Sequence, residues 1–302
     1  MVLNVMVRTA MRFVRRAWAI ALVALPASSV AATPAIIEQR VQVPVELRLA
    51  GRPEVRQDIA VNIVREVAPG RRPFLVLHHG RGVDAAERSA LGLQTYPANP
   101  RYFASKGFVV LVPTRVGYGV SGGPDVEYTG TCAFKRFADG AAAAVSETRQ
   151  ILRYAERLAY VDPDRGIVVG ESFGGLVAIA VAASDIRGVV ATVNISGGDG
   201  GDSLQRLDEP CRPDQMRETF ERYGRGNRLP TLWMYSANDR VWGPVYPQRW
   251  HAAFAQAGGR GQFVELPADK NNGHFIFNRN PPAWHPPFES FLGPLGLGGE
   301  AY

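Results

Sequence analysis

The sequence predicts an α/β protein: a mainly parallel sheet of about eight strands with helices on both faces. Three observations predict it. Two segments near the start alternate apolar with other residues, the pattern of an antiparallel pair. Short continuous apolar runs then recur along the chain, as strands buried on both faces require. Stretches of helical periodicity separate those runs.

Residues 40–49 and 58–67 are partly β-branched and flank Gly51-Arg52-Pro53, which predicts two strands joined by a hairpin-like turn. The continuous runs are 74–77, 108–112, 167–169, 189–193, 231–235 and 263–266. Helices are expected at 100–106, 137–159, 174–183, 213–223, 247–257 and 286–292. Within 137–159, Val145, Thr148, Ile151, Leu152, Ala155 and Leu158 recur at the spacing of one helix face, so this helix packs on a sheet. No internal repeat or linker interrupts the alternation, and residues 32–302 read as one domain.

The first residues have a different character. Arg8, Arg12, Arg15 and Arg16 precede the apolar run 17–25, then Pro26 and the small residues Ser28-Ser29-Val30-Ala31-Ala32. That order is a secretory signal, so residues 1–31 are expected to be removed and the protein exported to the periplasm or beyond. The run is far shorter than the roughly 20 residues a spanning helix needs, so stable membrane insertion is not expected. Without those four arginines, 30 basic residues face 28 acidic ones, a net charge of +2. Such a balance lacks the basic footprint of a nucleic-acid binder. With 46% hydrophobic and 21% charged residues, the chain is neither disordered nor collagen-like.

The cysteine count is two, Cys132 and Cys211. In an exported chain an even pair is consistent with one disulfide, and two free thiols are the alternative. Neither cysteine has a partner at metal-ligand spacing, so no metal is expected.

Gly170-Glu171-Ser172-Phe173-Gly174-Gly175 follows the run 167–169 and opens a helix. This is G-x-S-x-G between strand and helix, the nucleophile elbow, and it makes Ser172 the candidate nucleophile. A serine hydroxyl needs a base, and the base needs an orienting carboxylate. Asp239 lies in the loop after 231–235, and His274 in the loop after 263–266. The order serine, acid, histidine is that of the elbow fold. The other candidates fit less well. His78 and His79 precede the serine, His251 lies on a helix as a surface residue, His285 lies in a Pro-rich turn, and Asp269 follows the last strand.

Strand 74–77 runs into His78-His79-Gly80-Arg81-Gly82, whose turn is expected to aim a main-chain N–H at the space above Ser172. The N–H groups of Arg81 and Phe173 would then form an oxyanion hole. The Arg81 guanidinium is either exposed or a ligand for an anionic substrate group. Tyr118 and Trp242, with Tyr128 and Tyr246, either line the substrate cleft or pack at its rim; Tyr118 and Trp242 are the candidate substrate contacts.

The chain resembles the α/β-hydrolase superfamily, and within it the dienelactone hydrolase-like branch and its prolyl-oligopeptidase-type neighbours. The resemblance is carried by His79-Gly80, by Arg115-Val116-Gly117-Tyr118-Gly119-Val120-Ser121-Gly122-Gly123, and by Val161-Asp162-Pro163-Asp164-Arg165 leading into the elbow. Asn238-Asp239 and Gly273-His274 complete it. It implies a serine hydrolase of small or accessible carboxylic esters, working without a cofactor. Founding dienelactone hydrolases use a cysteine nucleophile, so Ser172 directs the expectation to ester hydrolysis in general. A peptidase using the same residues is the alternative, and a non-catalytic binding protein of the same fold the remote one. Cys132 and Cys211 follow the fourth and sixth strands, so a disulfide between them would tie together two loops flanking the site.

Overall fold

Ile36–Leu47 (β1), with alternating burial towards its end, and Val55–Glu66 (β2), buried continuously from Ile59 to Val64, form a hairpin paired antiparallel from Ile36 opposite Glu66 to Leu47 opposite Val55. The computed structural model describes residues 35–202 and 204–298, so the expected signal at 1–31 lies outside the described residues. β2 pairs antiparallel with β4 (Val109–Pro113). Every remaining pairing is parallel, through β3 (Arg72–His78), β5 (Val161–Glu171), β6 (Val189–Ile195), β7 (Thr231–Ser236) and β8 (Gly261–Leu266). The sheet has eight strands in the order β1-β2-β4-β3-β5-β6-β7-β8. This is the mainly parallel sheet with helices on both faces that the sequence predicts.

Strand periodicity divides the core into two halves. Val76, Val168 and Trp233 point to one face, where they meet α3 (Phe137–Ala155), α4 (Phe173–Ala182), α5 (Pro213–Gly226) and α6 (Tyr246–Gln256). Leu75, Leu77, Ile167 and Val169 point to the other, against α2 (Asn99–Ser105), α7 (Ile276–Arg279) and α8 (Pro281–Leu292). Every residue of α4 is buried. An all-apolar helix such as Leu176–Ala182 is stable in water only when covered on all sides, and α4 is enclosed by the sheet and by α3 and α5. That rigid setting holds the elbow at its N-terminus.

Three helices differ from expectation, and β5 begins at Val161 rather than at 167. A short helix α1 (Ala85–Ala90) buries nothing; Asp84 caps it by accepting from the Glu87 N–H, so its formation is local capping rather than packing. α3 ends at Ala155 rather than 159, in a turn that feeds β5. α8 starts at Pro281, and Pro286 and Pro287 lie inside it, so His285 is on a helix and not in a turn. Trp284, Phe288 and Leu292 are buried four residues apart, and that packing overrides the helix-breaking cost of the prolines.

Cys132 and Cys211 form a disulfide, with Cα atoms 5.0 Å apart across 79 residues of sequence. Among the described residues no helix is long and apolar enough to cross a membrane.

Candidate active site

β5 ends at Glu171 and α4 starts at Phe173, leaving one residue for the turn. Ser172 takes φ 56°, ψ −121°, a conformation that costs an L-residue energy and is held by its surroundings. Its N–H donates to Ile195 O at 2.9 Å, and its carbonyl accepts from Gly175 and Gly198. A side chain at Gly170 would overlap the Gly174 carbonyl, and one at Gly174 would overlap the His78 carbonyl. The flanking glycines are therefore required by crowding.

The loop after β8 closes into a short turn, Gly273–Phe275, capped by the Asn272 side chain. Gly273 N–H donates to Asn238 O, and a side chain at Gly273 would strike Ser236 Oγ, so this loop lies flush against the loop after β7. That contact brings the three predicted residues together. Ser172 Oγ lies 3.0 Å from His274 Nε2, and His274 Nδ1 lies 3.0 Å from Asp239 Oδ2. Asp239 Oδ1 also accepts from the N–H groups of Val241 and Trp242, which fixes the carboxylate. With Nδ1–H donating to Asp239, Nε2 is free to accept from the serine hydroxyl. Asp269, the nearby alternative acid, instead bonds through its own N–H to Asn238 Oδ1.

His274 is buried, which alone would lower its pKa, but Asp239 and then Glu171 raise it above the ordinary 6.5. Glu171 is buried at the cleft wall, where Tyr96 and Asn278 donate to its carboxylate; burial raises its pKa. Sequence patterns did not single out Glu171, whose only signal is its place beside the nucleophile.

Gly80 passes close over the serine: a Cβ there would sit 3.2 Å from Ser172 Cβ and 3.7 Å from its Oγ. The Arg81 guanidinium is neither solvated nor free for an anion. It makes a two-pronged pair with Asp125 at 2.8 and 2.6 Å.

A cleft of about 890 Å³ opens above Ser172, His274 and Phe173. Trp242 lines it, edge-on to the His274 ring at 5.4 Å, with its indole N–H donating to Ser196 O. Tyr128 lines it too, and the Cys132–Cys211 disulfide forms part of the wall. Tyr118 does not line it. Its ring is 1% exposed and its hydroxyl is committed to Glu127 at 2.5 Å, so the expectation of a substrate contact there is corrected. Tyr246 likewise stacks on Trp250 and stays outside the cleft lining. His251 is half-buried between Trp233 and Phe263 rather than a surface residue.

A family model described as the alpha/beta hydrolase family matches residues 75–293. The chain belongs to this family. Among solved structures, the hydrolase is similar to a candidate dienelactone hydrolase from Klebsiella pneumoniae subsp. pneumoniae. The TM-score is 0.53 at 16% identity, covering 86% of this chain and 98% of that one. It is similar to an acetyl xylan esterase from Paenibacillus sp. R4, with TM-score 0.55 at 15% identity, covering 86% and 89%. It is also similar to the acylaminoacyl peptidase of Pyrococcus horikoshii, with TM-score 0.56 at 13% identity, covering 87% of this chain but 42% of the peptidase. No curated protein matches the sequence. At these identities the likenesses concern the fold.

Proposed function

We propose that this hydrolase cleaves carboxylic esters with Ser172 as nucleophile, His274 as base and Asp239 as the orienting acid. The observation that carries the reading is the pair of 3.0 Å contacts running from Ser172 Oγ through His274 to Asp239. His274 Nε2 takes the hydroxyl proton as Ser172 Oγ attacks the ester carbonyl. The N–H groups of Phe173 and Arg81 hold the oxyanion, and Phe173 opens a ten-residue helix whose positive end favours the same charge. The tetrahedral species collapses; the alcohol leaves with the proton from His274, and Ser172 keeps the acyl group. Water, deprotonated by His274, then releases the acid and restores the serine.

No step in this scheme calls for a metal or organic cofactor. The partner is a small-molecule ester, and the open cleft suits an accessible one. Export is supported by the arginine-led apolar N-terminus and by the disulfide, which persists in oxidising compartments. N-terminal sequencing of the mature protein tests cleavage near residue 31.

The fold likeness to an acylaminoacyl peptidase favours one second reading, cleavage of aminoacyl amides with the same residues. A panel of aryl esters, feruloyl esters, lactones and aminoacyl anilides, run on wild type and Ser172→Ala, separates the two. Faster turnover of anilides than of short-chain esters overturns the esterase reading. Failure of a fluorophosphonate to label Ser172 overturns both and leaves a binding protein.

A further inference from the structure

Arg115 is a charged residue with no solvent exposure, in the loop that leaves β4. Burying a guanidinium is costly unless each of its faces is satisfied, and here the partners are specific. One edge grips Glu127, Nε to Oε1 at 2.5 Å and Nη2 to Oε2 at 3.2 Å, while the Tyr118 hydroxyl donates to the same Oε2. The other edge reaches backbone: Nη1 donates to His79 O at 2.8 Å and Nη2 to Gly80 O at 3.4 Å. The guanidinium also lies 5.6 Å from the centre of the Phe173 ring.

His79 completes the arrangement. Its Nδ1 lies 2.6 Å from Gly80 O, which is an acceptor only, so the ring carries its proton on Nδ1. The bare Nε2 then accepts the Arg115 main-chain N–H at 3.3 Å. Burial, with Arg115 alongside, holds the His79 pKa well below 6.5 and keeps the ring neutral. The Gly80 carbonyl is therefore held by two donors. That carbonyl and the Arg81 N–H belong to one planar trans peptide, in which they point in opposite directions. Whatever fixes the carbonyl aims the N–H.

We infer that Arg115, anchored by Glu127, is a positioning residue for the oxyanion hole: it clamps the Gly80 carbonyl and so directs the Arg81 N–H over Ser172. The inference rests on the serine-hydrolase reading above.

The test compares an aryl oxoester with its thionoester, because sulfur accepts hydrogen bonds from N–H poorly and the rate ratio reports the aimed donors. Arg115→Lys keeps the charge opposite Glu127 but cannot hold both carbonyls in one plane. It is expected to lower kcat on the oxoester by about 10- to 100-fold, below the full loss of a donor. KM should stay within about twofold, and the oxo-to-thiono ratio should shrink by a factor similar to the fall in kcat. Glu127→Gln, nearly isosteric, is expected to move the ratio in the same direction by a smaller factor, and stands in if the lysine variant does not fold. A folded variant of either kind that keeps the wild-type ratio, whether or not kcat falls, overturns the clamp. Absence of Ser172-dependent hydrolysis in the wild type instead overturns the underlying reading.

Discussion

One side-chain oxygen, Asn272 Oδ1, accepts from the main-chain N–H of both Arg240 and His274, at 3.0 Å each. The residue after the acid and the base itself are thus tied to a common point. Asn272→Ala removes a cap worth about 1 kcal/mol and frees the base loop. The expected result is a Tm lower by a few degrees and kcat reduced roughly 10- to 100-fold through mispositioning of the imidazole, read by thermal denaturation and steady-state ester hydrolysis.

In the proposed mechanism, replacing the reacting groups is expected to have larger effects. Ser172→Ala and His274→Ala should each lower kcat by about 10⁶-fold. Asp239→Asn should cost about 10⁴-fold by favouring the wrong imidazole tautomer. Residual activity within tenfold of wild type in any of the three would exclude it from the proton path.

The pH profile follows from the His274 environment. Its pKa lies above 6.5, because Asp239 and Glu171 outweigh burial. In the proposed mechanism the base must be neutral, so kcat/KM is expected to fall as pH drops, with a midpoint above 6.5. Glu171→Gln removes one of the two carboxylates that favour the imidazolium, and the midpoint should move down. A midpoint that stays put or rises in that variant contradicts the assigned cause.

A second carboxyl gives a stability signature. Glu147 is fully buried, and burial with nearby Glu127 pushes its pKa up to about 8. A pKa raised by folding means the folded state binds the proton more tightly. Its contribution is complete below the unfolded value near 4.5 and declines as pH rises through about 8. Stability should fall by up to about 1.4 kcal/mol per pH unit across that window. Urea denaturation of wild type and Glu147→Gln should show a flatter pH dependence in the variant, whose side chain can still accept from the Val116 N–H.

The disulfide closes a long loop, and in the chain-entropy account such a bridge contributes about 4 kcal/mol. Cys132→Ala/Cys211→Ala should therefore lower the denaturation midpoint markedly. Because both half-cystines form part of the cleft wall, KM should rise more than kcat falls. Equal stability in wild type and double variant would show that the bridge acts on the cleft alone.

Much of this was legible in the residues because it depends on local pattern. Gly170 to Gly175 announces the turn, and the apolar runs locate the strands within two or three residues at most ends; β5 begins six residues earlier. What escaped depends on tertiary burial. Tyr118 sits in a Gly-rich, loop-like segment that suggests exposure, yet its hydroxyl is drawn inward by Glu127, nine residues on. Arg115 stands out in the sequence only as part of the motif that carries the resemblance, and Glu127 not at all, because a buried ion pair leaves no periodic trace. α1 does carry a signal, Asp84 three residues before Glu87, but it lacks the apolar face that marks packed helices. The prolines of α8 mislead for the opposite reason: local propensity places a turn at His285 and starts the helix at Pro286, whereas buried Trp284, Phe288 and Leu292 carry it back to Pro281.

The wall bearing Tyr128, Cys132 and Lys135 is supplied by the connection from β4 to α3. Ser172, Asp239 and His274 belong to other connections. This part of the cleft wall therefore comes from a stretch of chain that carries none of the three, while Phe173, Trp242 and Phe275 line the cleft from the same connections as Ser172, Asp239 and His274. Grafting a different 128–135 segment onto this scaffold, with Cys132 retained and Asp125 and Glu127 left in place, is expected to change KM across an ester panel more than kcat.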